Sequence, residues 1–255
     1  MSRRGKLVKI MNKLTFGSGN KKLNQSIATF SLPAGYSCPG ADVCLTRFSP
    51  EKGKIIDGPN KLFRCYAASE EAVYSSVRSA RWNNFNVLVN KTTQEMMNTL
   101  CQNLFFVDEN IVRVHVSGDY FNQNYFDAWM AAARMFPKKI FYSYTKSIPY
   151  WIARLGEIPP NFRLIASKGG KFDSLIAKYN LRFAEVVFSA QEAKQKKLRI
   201  DKTDRIAIFC KENFALLLHG TQPVNSAAGE ALKLIRRKER KAAQRNISKF
   251  QLTIN

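Results

Sequence analysis

Thiols are the first chemistry this sequence offers. Cys38, Cys44 and Cys65 share one Gly/Pro-rich stretch, Ser37-Cys38-Pro39-Gly40-Ala41-Asp42-Val43-Cys44, then twenty residues, then Cys65. Of the 5 cysteines in the chain, Cys101 and Cys210 stand apart and read as core. Three thiols so close together point to a metal or iron–sulfur centre rather than a disulfide framework. The competing reading is three small buried side chains, because free cysteine is among the most buried residue types. Three thiolates can hold three irons of a [4Fe–4S] cube and leave the fourth iron open. An open iron can chelate the amino and carboxylate groups of S-adenosylmethionine. Asp119, in Ser117-Gly118-Asp119, supplies a carboxylate for the amino group, and Gly118 allows close backbone approach. An equal reading makes Asp119 the N-cap of the helix that follows.

Other polar residues gather at expected strand ends. His219 precedes Gly220-Thr221 and reads as an acid/base or as the fourth ligand of a Cys3His zinc site. Lys146 and Lys168 end adjacent strands and form a candidate phosphate clamp, against the plainer reading of rim charges. Ser167 and Ser189 are candidate cofactor contacts at two more strand ends. Tyr142, Tyr144, Tyr150 and Trp151 either stack on a base or pack. His115, inside a strand, reads as a core or sheet-lining histidine. No Walker loop, GxGxxG turn, HExxH or nucleophile elbow is present.

The elements that must position these residues follow a βα rhythm. Strands are expected at 27–32, 111–116, 140–144, 162–166, 183–188, 206–210 and 214–218, and helices between most of them. A helical stripe from 67 to about 89 comes after the cysteine loop, and a long basic helix from about 227 to 245 closes the chain. Alternating strands and helices imply a parallel sheet buried on both faces, with ligands at the C-terminal strand ends. A partial (β/α)6-type parallel barrel is the first choice, and an open doubly wound parallel sheet is the alternative. The expected organisation is a basic arm over 1–26, an α/β barrel domain over 27–224 with its cysteine loop at 33–66, and a basic helix and tail over 225–255.

Composition narrows the partners. The 255 residues carry 41 Lys+Arg against 19 Asp+Glu, a formal charge of +22. Such an excess attracts polyanions, nucleic acid first among them. The excess is concentrated in the N-terminal arm and around Arg236, Arg237, Lys238 and Arg240. No run of eighteen apolar residues exists, so no membrane span is expected, and no export signal is apparent. A cytoplasmic location, in a bacterial host, is the expectation.

Several stretches resemble the phage-encoded gene product 88 family. They are Phe30-Ser31-Leu32-Pro33-Ala34-Gly35, Cys38-Pro39-Gly40-Ala41 with Cys44, and Phe63-Arg64-Cys65-Tyr66-Ala67-Ala68. His115-Val116-Ser117-Gly118-Asp119-Tyr120-Phe121, Phe141-Tyr142-Ser143-Tyr144-Thr145-Lys146-Ser147, Pro149-Tyr150-Trp151 and His219-Gly220-Thr221-Gln222-Pro223 extend it. This resemblance implies a phage or prophage origin and names no reaction. The arrangement is also similar to radical-SAM barrels, with cysteines after the first strand and a Gly-acid turn after the second. Those barrels use Cx3Cx2C, whereas the gaps here are five and twenty residues. The leading expectation is an iron–sulfur, radical-SAM-like enzyme acting on nucleic acid or a nucleotide. The alternatives are a zinc-stabilised nucleic-acid-binding protein without catalysis, or a base-modifying barrel using Asp119.

Overall fold

The computed structural model describes residues 12–19 and 26–252. In chain order the elements begin with β1 (Gly17–Ser18), β2 (Ile27–Phe30), the hairpin β3 (Thr46–Ser49) and β4 (Lys54–Asp57), then α1 (Tyr66–Val73), α2 (Ser75–Leu88) and α3 (Thr93–Leu104). The alternating part is β5 (Ile111–Val114), α4 (Gln123–Met135), β6 (Ile140–Thr145), α5 (Ile148–Ile152), β7 (Phe162–Ser167), α6 (Asp173–Lys178), β8 (Phe183–Val187) and α7 (Ala190–Gln195). It ends in β9 (Arg199–Ile200), α8 (Arg205–Phe209), β10 (Phe214–Leu217) and α9 (Ala227–Leu252).

The protein is a mixed α/β fold around an 8-stranded sheet of order β1-β2-β5-β6-β7-β8-β10-β9. Every pairing in it is parallel except β1 with β2. From β2 to β8 the parallel strands follow one another in chain order, without the reversal that a doubly wound sheet shows at its switch point. Sequence reading placed Gly17 and Ser18 in the basic arm, yet they pair with β2, and Leu14 is 4% exposed. The arm's Arg3, Arg4, Lys6, Lys9, Lys21 and Lys22 lie outside the described residues.

Strand alternation sends side chains to two different faces. On one face Phe30, Val112, Val114, Phe141, Leu164 and Ala166 pack against α3, α4 and α5 through Leu100, Trp129 and Ile148. On the other, Ile27, Tyr142, Ile165, Ala184 and Phe214 pack against Ile206, Ala207 and Ile208 of α8. The sequence predicts a strand over 206–210, but this segment is helical. Asp201 explains the difference: its carboxylate accepts from Thr203 N (3.1 Å) and Ala207 N (2.9 Å), which fixes a helical turn on a short apolar run of ambiguous period. The stripe at 67–89 is two helices rather than one, because Tyr74 is extended (φ −111°, ψ 102°) between α1 and α2.

Candidate thiol site at the mouth of the sheet

The cysteine loop lies across the C-terminal strand ends. Leu32 N donates to Ser117 O (2.9 Å) and Val43 N to Gly169 O (3.2 Å), tying the loop to the segments after β5 and β7. Gly40 lies so close to the backbone after β6 that a Cβ there would be 2.1 Å from Lys146 O. Gly118 has φ +82°, and its Cβ would be 2.5 Å from Ser37 Oγ. Any larger residue at either point would lift the loop from the strands.

A buried ion network binds the two cysteine-bearing segments together. Glu71 is fully buried, and its Oε1 accepts from Ala34 N (2.9 Å) and from Arg81 Nη1 (3.0 Å). Arg81 Nη1 also donates to Ala67 O (2.8 Å), and Nη2 to Glu70 Oε2 (2.6 Å). Ala34 precedes the turn that carries Cys38, and Ala67 lies in the first turn of α1, the helix that follows Cys65. Burial raises the Glu71 carboxyl, against the opposing pull of Ala34 N–H and Arg81.

Cys38, Cys44 and Cys65 all line one cavity of about 790 Å³. Burial pushes the Cys38 thiol well up, and the nearby Asp119, Cys65 and Cys44 push it further. Burial and then Cys44 push Cys65 up to about 11, against the N–H groups of Ala67 and Ala68 at the start of α1. The thiols therefore sense one another. As free groups Cys38 and Cys65 rest protonated at neutral pH, and a bound cation must displace their protons. The donor set is soft sulfur, which suits iron–sulfur clusters and zinc. Among the described residues no three His, Cys, Asp or Glu are close enough to share one metal ion.

The same cavity is lined by Gly118, Asp119, Lys146, Ser167 and His219. Asp119 is 5% exposed. Its Oδ1 accepts from Tyr120 N (2.8 Å) and Thr145 Oγ1 (2.6 Å), and its Oδ2 from Lys146 N (2.7 Å). Burial raises its carboxyl, although these hydrogen bonds oppose the shift. The N-cap of α4 is Asn122, not Asp119. His219 is exposed, and its ring lies 4.6 Å from that of Tyr66, whose hydroxyl donates to Val116 O.

Two expectations need correction. Lys146 and Lys168 do not form a clamp. The Lys146 ammonium donates to Ser167 O (2.9 Å), Ser167 Oγ (2.6 Å) and Lys168 O (2.9 Å), so its three protons are taken by the protein. Lys168 lines a second groove, with Nζ 3.5 Å from Glu185 and 4.0 Å over the Phe183 ring. Ser189 lies outside the cavity, where it caps α7 by accepting from Glu192 N (3.1 Å). Of the two readings for Trp151 and Tyr150, packing holds: both pack with the cluster of α3, α4 and α5. Arg236, Arg237, Lys238 and Arg240 are exposed on α9, and Arg236 donates to Gly220 O (2.9 Å) beside the cavity rim.

Sequence reading missed Arg113, on the α8-covered face of β5. Its Nη1 meets Asp204 Oδ2 at 2.7 Å, and Asp204 also accepts from Tyr142 (3.0 Å) and Tyr144 (3.3 Å). A lone cation in the run Ile111-Val112-Arg113-Val114 was the available signal, since a strand buried on both faces has no solvated place for it.

The molecule is thus an α/β protein whose parallel strand ends hold three thiols over a deep cavity. The chain belongs to the Gene product 88 family, whose model matches residues 6–245. No curated protein and no solved structure matches it. Among the described residues no helix is long and apolar enough to cross a membrane.

Proposed function

We propose that this protein is an iron–sulfur enzyme of radical-SAM type, acting on a nucleotide or nucleic acid. The observation that carries the reading is that Cys38 and Cys44 of the loop and Cys65 at the start of α1 line one cavity. Parallel strands in chain order support a partial barrel, and the thiols stand at its ligand-bearing end. Cys38, Cys44 and Cys65 would hold a [4Fe–4S] cluster. The chemistry such a cluster supplies when bound is one-electron transfer to S-adenosylmethionine. Asp119 keeps its carboxylate beside Cys38 and ties the β5 and β6 ends in register. Tyr66 and His219 wall the other side.

The zinc reading has less support. No metal-holding trio of His, Cys, Asp or Glu forms among the described residues, which counts against a closed four-ligand zinc site and leaves the cluster reading to rest on the shared cavity and its place at the strand ends. A nucleophilic Asp119 also has less support, because its carboxylate already accepts three hydrogen bonds.

Anaerobic purification decides the matter. The expected preparation is brown, absorbs broadly near about 400 nm and contains iron and acid-labile sulfide. Cys38→Ala, Cys44→Ala or Cys65→Ala removes the iron, while Cys101→Ala and Cys210→Ala do not. Colourless wild type that takes up no iron on reconstitution overturns the reading.

A further inference from the structure

We propose that Arg113, at the floor of the thiol-lined cavity, binds the anionic oxygen of a mononucleotide-sized ligand. This rests on reading the cavity as a nucleotide site, and it stands independently of any cluster at the rim.

The Lys146 protons are taken by Ser167 and Lys168. Arg64 grips Asp57 with two nitrogens, Nε at 2.9 Å and Nη2 at 3.0 Å. Lys168 lines the other groove. Lys202 is an exposed surface residue. Arg113 differs from all of these. Its side chain is 11% exposed, it lines the cavity, and its Nε is buried without an acceptor. Asp204, with 0% exposure, is shared among Arg113, Tyr142 and Tyr144, so its charge is spread over several donors. Tyr144 holds the guanidinium in place, with the cation 5.0 Å from the ring centroid. An arginine cannot escape burial by losing its proton, so donor capacity left over inside a protein calls for an acceptor.

A second observation points to the same place. Ser69 Oγ and His115 Nδ1 are also buried without a partner, and both residues line this cavity. Four of the buried unpartnered atoms among the described residues, on Ser69, Arg113, His115 and Ser117, belong to residues that line this cavity, so unused polar capacity collects directly behind its wall. About 790 Å³ is ample for a mononucleotide, within the usual range for small-molecule sites. Tyr66, His219 and Tyr144 contribute aromatic surface to its lining. The guanidinium fork suits phosphate and carboxylate alike, and the test separates these sources.

The experiment is calorimetric titration of full-length protein at fixed ionic strength with nucleoside monophosphates, their parent nucleosides, inorganic phosphate and citrate. Wild type is expected to bind a monophosphate at least about tenfold tighter than its nucleoside, the size of one charge-assisted hydrogen bond. Arg113→Lys keeps a cation for Asp204 but removes the planar fork, and should shrink that ratio to near one. The ratio should persist in Arg237→Gln/Lys238→Gln/Arg240→Gln, whose side chains are exposed on α9 outside the cavity lining. A second measurement needs no variant: a monophosphate should slow iodoacetamide alkylation of the rim thiols at concentrations where its nucleoside does not. Equal affinity for monophosphate and nucleoside, tighter binding of citrate than of any monophosphate, or a ratio lost only in the α9 variant overturns the proposal. An iron-free wild type that still prefers monophosphates through Arg113 defeats the cluster reading and leaves this one standing.

Discussion

The two faces of the parallel sheet differ in burial and in chemistry: on β5, Val112 and Val114 are fully buried, whereas Ile111 and Arg113 on the opposite face are only partly so. The face covered by α3, α4 and α5 is apolar and aromatic: Phe30, Trp129 and Phe141 meet edge to face, with centroids 5.2 and 6.3 Å apart. The face covered by α8, here the inner face, carries Arg113, Tyr142 and Tyr144 around Asp204, whose backbone sits at φ +59°. An apolar face folds the chain by removing surface from water. A buried ion pair with strained backbone does not repay its desolvation through stability alone. The contrast makes the face of Arg113 and Asp204 the one to test for function, because it keeps costly groups that an all-apolar layer would not need.

Substitutions on the two faces should separate these roles, and this is the largest effect expected. Trp129→Ala should lower unfolding free energy by about 3–5 kcal/mol through lost burial and a cavity. Asp204→Leu should lose a similar 3–5 kcal/mol, because Arg113 is left charged and unpaired. The double change Arg113→Met/Asp204→Leu should recover most of that loss, whereas no partner change rescues Trp129→Ala. Urea titrations of the variants decide it. A double variant as unstable as Asp204→Leu would mean that the inner face is a structural core like the outer one.

Much of the outer face was legible in the sequence and little of the inner. β-branched runs such as Ile111-Val112 and the Phe126–Trp129–Ala133 stripe announce strands and helices by period alone. The thiols were legible by type and spacing. Arg113 and Asp204 were not, because their meeting joins β5 to the turn before α8 across a long sequence separation. The Lys146–Lys168 clamp failed for a related reason: adjacent strand ends predict neighbourhood but not which acceptors a lysine finds first. α8 was hidden because a short apolar run has no decisive period, and the Asp201 side chain that sets it lies outside the run.

A middle-sized effect tests the boundary between the faces. His115 stands at φ +69°, and burial holds it down to about 3. Its folded value is below its unfolded value of about 6.5, so the unfolded chain takes up the proton first on acidification. The stability it contributes is fully present above about pH 6.5 and is lost as pH falls toward 3, at up to about 1.4 kcal/mol per pH unit. Glu71 and Asp119, whose carboxyls burial raises, act with the opposite sign, so the difference between wild type and His115→Asn is the quantity to follow. Thermal unfolding from pH 4 to 8 should show that difference changing steeply below pH 6.5. A difference that stays constant would place a charged His115 in the folded protein.

The smallest effect on stability, and a large one on binding, belongs to α9. Leu232 and Ala228 dock this helix on Leu218, while Arg237, Lys238 and Arg240 remain exposed. Neutralising Arg236, Arg237, Lys238 and Arg240 to Gln should change unfolding free energy by only about 0.5 kcal/mol, mainly through the Arg236 bond to Gly220 O. If these four cations neutralise phosphates, the slope of log affinity against log salt should fall by about 3 to 4 on duplex DNA. Any sequence should weaken alike, since phosphate contacts position without specifying. Shift titrations at two salt concentrations, on single- and double-stranded DNA and RNA, measure it. An unchanged slope would separate the basic helix from the cavity's ligand and leave the +22 charge to another role. A reduced slope with an intact monophosphate preference would show two anion sites, one that gathers a polyanion on α9 and one that recognises a nucleotide at Arg113.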